Sequence, residues 1–306
     1  MSRGGRTAIA VVLLLAALAI AGCGLGPGAE VGSVGLVVTK EFGAEPVLED
    51  SVKANESDTV MRVLEGSAKI ETRYGGGYVK SIEGVAETSH GGDPYDWFFF
   101  VDGIESPVGA AEYPLQGGER IWWDFRDWNE TDHVPAVVGS WPAPFVAGYE
   151  GERHPVAVEC EGGRVAEACE EVKAALEGEG VKLANGSPNG ATRVLVGPWS
   201  ALRADTTAAQ LEKGPADSGV YAKLEPSAGG YALVGLDADG GAAKRFGPGA
   251  GLVAATRHLE GPPVWVVTGS TESAVQAAAN ALDAEDLRDH YAVAVEGGTV
   301  VPLPVR

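Results

Sequence analysis

The sequence predicts an α+β protein in which a strand-rich N-terminal region is followed by a separate α/β region. From Val34 to Trp128, short strand patterns surround one helical pattern, and from His154 onward strand and helix patterns alternate. The composition changes at the same place. Five of the seven tryptophans lie between Trp97 and Trp141, whereas the second half is rich in Ala, Val and Gly.

The elements of the first region follow from local residue patterns. A helix is expected over 60–65, because Asp58-Thr59 is a good N-cap and Gly66 a good stop. Asp102-Gly103 is typical of a two-residue hairpin turn. Strands are expected at 34–39, 47–53, 69–74, 78–82, 97–101 and 121–125. One helix among several strands favours a small sheet with the helix packed across it.

The second region has the pattern of an α/β layer, and a proline-punctuated linker over 139–153 precedes it. Helices are expected at 165–176, 251–259 and 273–282. Strands are expected at 156–158, 194–196, 220–224, 231–236, 264–267 and 291–295. Gly249-x-Gly251 formally fits a dinucleotide fingerprint, but no strand leads directly into it, and we interpret it as a helix start.

The first residues have the pattern of an exported lipoprotein. Arg3 and Arg6 precede an apolar stretch, Ala8 to Ala21, that is shorter than the ~20 residues needed to span a bilayer. The stretch ends in Ile20-Ala21-Gly22-Cys23, which is similar to a bacterial lipobox. We therefore predict a signal peptide over 1–22, a lipidated Cys23 and a tether over 23–33. The alternative is an ordinary secretory signal with a chance cysteine.

This pattern predicts that the mature chain is held by its lipid on the extracytoplasmic face of the bacterial membrane. Cys160 and Cys169 remain as an even pair in an exported protein, which predicts a disulfide. Because the closed loop is short, its stabilisation should be about 2–3 kcal/mol. The alternative is two buried, reduced thiols.

Charge and motifs exclude several classes of function. The formal charge of -20 argues against nucleic acid, because phosphate would be repelled. The sequence contains no Gly-x-Ser-x-Gly elbow and no metal-binding His or Cys pair, and its five histidines are far apart. We therefore expect neither an enzyme nor a required cofactor or metal.

The strand that begins at Ile121 provides the candidate binding residues. Alternation places Ile121, Trp123 and Phe125 on one face, which we interpret as core. The opposite face carries Trp122, Asp124, Arg126 and Trp128. Exposed tryptophans beside charged groups could hold a large, flat, partly polar ligand. The alternative is that this face packs on the Trp141 connection or on the second region.

The segment from Tyr95 to Trp128 resembles the C-terminal domain of transcobalamin and intrinsic factor, in the form found alone in bacterial surface lipoproteins. The matching elements are the aromatic strand ending in Val101-Asp102-Gly103, the Gly109 and Tyr113 spacer, and the Gly117-Gly118-Glu119 turn into a Trp-containing strand. The resemblance implies a β-grasp-like domain over 34–138. In the animal proteins this domain is one half of a clamp around cobalamin, and the helical half has no counterpart here.

Two functions are therefore considered. The first is a surface lipoprotein that binds a ligand such as a corrinoid, a cobalamin-like cofactor, and delivers it to a vitamin uptake transporter. The second is a non-catalytic structural or interaction module of the cell envelope. The α/β domain over 154–306 carries no motif that indicates its role.

Overall fold

The computed structural model describes residues 28–86 and 94–306 and shows an α+β chain with several separate sheets. The predicted signal peptide, Cys23 and the first residues of the tether lie outside the described residues. Among the helices that are described, none has the length and apolar character needed to cross a bilayer.

The N-terminal part is a mixed five-stranded sheet with one helix and a smaller sheet beside it. Its elements are β1 (Glu30–Lys40), β2 (Glu45–Asn55), α1 (Val60–Ser67), β3 (Ile70–Arg73), β4 (Tyr78–Ile82), β5 (Val85–Ala86), β6 (Tyr95–Val101), β7 (Ile104–Glu105) and β8 (Arg120–Asp127). The large sheet has the order β2-β1-β8-β6-β7, and only β1 and β8 pair in parallel. The strands β3, β4 and β5 form the small sheet.

Alternation along these strands assigns their two faces, as the sequence predicts. Leu36 in β1 and Ile121, Trp123 and Phe125 in β8 face a core that α1 completes. The helix begins at the Thr59 cap, whose side chain accepts the Arg62 N–H. The opposite face of the sheet is buried as well, against the C-terminal part.

The C-terminal part is a six-stranded sheet with helices and a small meander. Its elements are β9 (Val156–Cys160), α3 (Ala166–Gly178), β10 (Thr192–Pro198), α4 (Trp199–Leu202), α5 (Pro215–Ser218), β11 (Ala222–Ser227), β12 (Gly230–Leu236), β13 (Ala242–Arg245), β14 (Gly251–Thr256), β15 (Val264–Gly269), α6 (Glu272–Asn280), α7 (Ala284–Leu287), β16 (Ala292–Glu296) and β17 (Thr299–Leu303). The main sheet has the order β17-β16-β14-β15-β10-β9, with β9, β10 and β15 parallel. The strands β11, β12 and β13 form an antiparallel meander.

One predicted helix is wrong. Residues 251–256 form β14, a central strand between β15 and β16, and all six of its residues are buried. A short apolar run that is buried on both faces does not alternate, so its periodicity does not distinguish strand from helix. Gly251 is explained by close packing, because a Cβ there would lie 2.3 Å from the Ala274 carbonyl oxygen of α6.

The connection between the two parts is packed rather than extended. It contains the short helix α2 (Ala143–Val146). Trp141 and Phe145 pack on Trp265 of the C-terminal sheet, with ring centroids 5.7 and 4.9 Å away. Farther along, Cys160 at the end of β9 and Cys169 in α3 form a disulfide with Cα atoms 6.0 Å apart, the pairing that the sequence predicts.

Replacing Gly139 by alanine should test how closely the two parts meet. A Cβ at this position would lie 2.6 Å from the His290 amide nitrogen and 2.8 Å from its carbonyl oxygen. Because both atoms belong to the backbone, we expect Gly139→Ala to lower the free energy of unfolding by about 3 kcal/mol. The control is Gly66→Ala in α1, where a Cβ meets nothing and should stabilise by about 0.5–1 kcal/mol. Equal urea midpoints for the two variants would contradict the close approach.

Candidate ligand cleft at the seam of the two parts

The predicted binding face on β8 is largely an interior surface. Trp122, Asp124 and Arg126 are fully buried, so the expectation that they form an exposed face is wrong. The alternative considered from the sequence holds instead, because this face packs against the C-terminal part. Trp122 contacts Tyr291 edge to face at a centroid distance of 5.5 Å, and Phe42 contacts Tyr221 and Tyr291 in the same way.

Asp124 is the centre of a buried hydrogen-bond network across the seam. Its carboxylate accepts from the Thr39 hydroxyl at 2.6 Å, the Gly43 amide at 3.1 Å and the Tyr291 hydroxyl at 3.0 Å. The Trp122 indole donates to the Thr39 hydroxyl at 2.8 Å. Burial raises the pKa of Asp124, and the hydrogen bonds from Thr39 and Gly43 oppose that shift. These bonds satisfy a carboxyl group that would otherwise be costly to bury.

Arg126 is also buried and makes its contacts within the protein. Its guanidinium donates to the carbonyl oxygens of Asp127 and Thr131 at 3.0 and 2.8 Å and lies 3.8 Å from the Phe98 ring centroid. Of the four predicted residues only Trp128 is exposed, at 38%. Since the other three lie inside, the structure does not join the four residues into one open ligand surface.

An open cleft instead lies where loops of the two parts face each other. Its volume is about 620 Å³. One wall is formed by residues 105–107 and 132–135, which follow the N-terminal sheet. The other is formed by Glu150 and by residues 257–260, which follow β14. Clefts between structural units, of roughly 300–1,000 Å³, are common ligand sites.

Two ion pairs hold the cleft walls in place. On the first wall, Glu105 pairs with the His133 imidazole and accepts the Val134 N–H at 3.0 Å. The hydrogen bond to Glu105 raises the pKa of His133, and burial opposes that shift. On the second wall, Arg257 donates to Glu150 at 2.6 Å and to the Gly261 carbonyl oxygen at 2.6 Å.

Leu259 is the most unusual residue of the cleft. It is 80% exposed and has a φ of 52°, in the left-handed region that a leucine rarely adopts. Strain of this kind costs about 1–3 kcal/mol and is concentrated at functional sites. Leu259 is both exposed to solvent and in an unfavourable backbone conformation. This loop is therefore a candidate contact surface.

A second cavity, of about 330 Å³, contains two buried carboxyl groups. Asp102 occupies the predicted hairpin turn, where it and Gly103 have φ values of 50° and 80°. Its carboxylate accepts the Arg120 N–H at 2.8 Å. Burial raises the pKa of Asp102 to about 7 against this hydrogen bond, and nearby Glu119 contributes to the rise. Burial also raises the pKa of Glu119.

The sequence did not indicate the cleft. Its residues come from segments about a hundred residues apart, and each segment alone has the composition of an ordinary turn. The one available signal was the concentration of Pro and Gly with charged residues around 102–107 and 257–263. Within residues 28–86 and 94–306 there is no cluster of three or more His, Cys, Asp or Glu side chains able to hold a metal ion.

Comparison with known proteins gives matches to the N-terminal part. A model for a domain of unknown function (DUF4430) matches residues 57–127, which span α1 to β8. The solved structure of haptocorrin in complex with Cbi is 16% identical over 31% of this chain, with a TM-score of 0.26. The chain spans about a quarter of haptocorrin, 25% of its length.

A proposed metal-binding protein from Ruminococcus gnavus is 13% identical over 31% of this chain and 97% of its own, with a TM-score of 0.25. Both structural similarities are weak. No curated protein matches the chain.

The substitution Asp102→Asn should change how stability depends on pH. The ordinary pKa of the carboxyl is 3.8 and the folded value is about 7. Because the folded state holds the proton more tightly than the unfolded state, protonation of Asp102 stabilises the fold. This stabilisation is fully present below pH 3.8 and is lost as the pH rises to about 7. Asparagine tolerates positive φ and carries no charge. The free energy of unfolding of Asp102→Asn should therefore exceed that of the wild type by up to about 4 kcal/mol above pH 7 and match it near pH 4.

Urea unfolding between pH 4 and pH 8 measures this difference. The control is Asp50→Asn, which removes an exposed carboxyl. Parallel stability curves for the wild type and Asp102→Asn would show that the pKa of Asp102 is the same in the folded and unfolded states, and would contradict the raised value.

Proposed function

We propose that this chain is a membrane-anchored, non-catalytic lipoprotein that binds a ligand in the cleft between its two parts, and that the ligand is a corrinoid. The observation that supports ligand binding is the cleft itself, with its exposed and strained Leu259. The resemblance of the segment from Tyr95 to Trp128 to a cobalamin-binding domain supports the choice of ligand.

We further infer that the N-terminal sheet has a β-grasp arrangement. The hairpin of β1 and β2 is followed by α1, and the last strand β8 inserts beside β1 in parallel. The helix covers one face of the sheet through Val60, Met61 and Leu64. This arrangement leaves the loops after β7 and β8 at one end of the sheet, where they form one wall of the cleft.

One domain alone cannot enclose a large ligand, and the second wall of the cleft provides a second contact surface. In this chain the C-terminal part packs on the N-terminal sheet and brings residues 257–260 opposite residues 105–107. The prolines Pro107 and Pro135 and Leu259 offer apolar contact, and the carboxylates can accept from amide groups such as those at the rim of a corrinoid. A corrinoid is larger than the cleft, so one edge of it would be held and the remainder would face solvent.

The anchoring part of the proposal rests on the sequence. Gly28, the first described residue, lies five positions after Cys23, so a lipid on that cysteine would hold the folded part close to the membrane. At the extracytoplasmic face the protein could collect a corrinoid and pass it to an uptake transporter.

Equilibrium dialysis with cyanocobalamin tests the binding proposal. The mature chain with Cys23→Ser should bind the ligand, and Leu259→Asn should weaken binding about tenfold, because an apolar contact is lost. The matched control is Tyr74→Asn, since Tyr74 is also exposed (87%) with a positive φ of 54° but does not line the cleft. No binding by the wild type would reject the corrinoid and favour an interaction module.

Anchoring is tested by labelling in a lipoprotein-processing bacterial host. Radiolabelled palmitate should be incorporated into the wild-type chain, which should fractionate with membranes. In Cys23→Ser both properties should be lost, because the serine hydroxyl does not form the thioether. Membrane retention of the serine variant would point to a different mode of attachment.

A further inference from the structure

A separate pocket has the opposite charge character to the rest of the molecule. It lies between α2, the start of β9 and the turn after α3, and its volume is about 260 Å³. Arg153, His154 and Lys182 line it, and no lining residue is acidic. It shares no lining residue with the cleft, which is bordered by four carboxylates. On a chain with a formal charge of -20, such a pocket is exceptional.

The two permanent cations of the pocket are available to a ligand. Arg193, Arg203 and Arg257 donate to carboxylates. Arg153 and Lys182, in contrast, form no ion pair or side-chain hydrogen bond with any residue in the described part of the chain. Both are exposed, so neither has been desolvated to stabilise the fold.

The remaining wall of the pocket is apolar. It includes Phe145 from α2, Val156 from β9 and Val181, and these three side chains are buried. His154 stacks on Tyr149 with ring centroids 3.9 Å apart, and its Nε2 lies 3.4 Å from the Tyr149 carbonyl oxygen. These contacts hold the imidazole ring in one orientation, so that the ring forms one flat wall of the pocket.

We propose that this pocket binds a small oxyanion, a phosphate monoester or a carboxylate, that carries an apolar group. The Arg153 guanidinium would provide a planar pair of donors, and the Lys182 ammonium a compact charge. The apolar group would lie against Phe145 and Val181. A volume of 260 Å³ equals about nine water molecules at roughly 30 Å³ each, which suits one ring or a short chain with its anionic head.

The acidic surface elsewhere does not prevent this binding. At physiological salt, charges farther than about 8 Å are largely screened, so distant carboxylates contribute little to the field at Arg153 and Lys182. Glu152 and Glu179 are close in sequence but do not line the pocket.

The oxyanion could come from a free small molecule or from a lipid headgroup. A headgroup would be within reach, because Val146 and Arg153 also border the cavity that contains Gly117. Gly117 in turn lies against Val31 at the start of β1, near the end of the tether. Exposed Val146 (41%) at the pocket rim would then face the bilayer.

Titration calorimetry with phenyl phosphate tests the proposal, and all variants of this test carry Cys23→Ser, so that no lipid anchor contributes to vesicle binding. We expect phenyl phosphate to bind more tightly than inorganic phosphate, because only the ester has an apolar group. The double variant Arg153→Gln/Lys182→Gln should bind phenyl phosphate at least tenfold more weakly. The matched control is Lys69→Gln/Lys223→Gln, which removes two cations that also lack ion pairs but lie elsewhere, and it should bind as the wild type does.

A second arm identifies the source of the oxyanion. Cosedimentation with phosphatidylglycerol vesicles that is lost in Arg153→Gln/Lys182→Gln would assign a lipid headgroup. Phenyl phosphate binding without cosedimentation would assign a free small molecule. Absence of phenyl phosphate binding, or equal weakening in both double variants, would overturn the proposal. Either result is independent of cyanocobalamin binding in the cleft.

Discussion

The buried Asp124 carboxyl group is the constraint on which the arrangement of this molecule depends. It lies on the central strand β8 and is satisfied by groups from three places: Thr39 of β1, Gly43 of the following turn and Tyr291 of the C-terminal part. Separating the two parts would remove the Tyr291 hydroxyl and open the site to water. The polar group therefore favours one docking geometry over the many that apolar contact alone would allow.

Apolar packing accompanies the Asp124 hydrogen-bond network at the seam. Phe42, Phe100 and Trp122 from the N-terminal part share one core with Tyr221 and Tyr291 from the C-terminal part. Phe42 reaches this core because Glu41, Phe42 and Gly43 all have positive φ, which turns the chain sharply after β1. Fixed by this core, the loops on either side of the seam form the two walls of the cleft.

The sequence predicted the secondary-structure elements better than the contacts between them. Alternation in β8 correctly separated Ile121, Trp123 and Phe125 from Trp122 and Asp124, because a strand has only two faces. It did not reveal what covers the second face, since Tyr291 lies 167 positions later in the chain. A mixed aromatic and charged face suits a ligand surface as well as a hydrogen-bonded seam.

Local sequence patterns did not reveal the cleft for the same reason, because the cleft forms only where the two parts pack together. Local patterns identify caps, hairpin turns and amphipathic faces, and the Thr59 cap and the Asp102-Gly103 turn were predicted in this way. They do not identify a strand buried on both faces, such as β14, or a site built from distant loops. The aromatic and charged face that the sequence pointed to is the buried seam, and the cleft was not predicted.

The shared core is tested most directly by calorimetric unfolding of the mature chain. If the two parts form one cooperative unit, heating should give a single transition whose calorimetric enthalpy equals its van't Hoff enthalpy. Two resolved transitions, or a calorimetric enthalpy well above the van't Hoff value, would show that the parts unfold independently and would contradict the account.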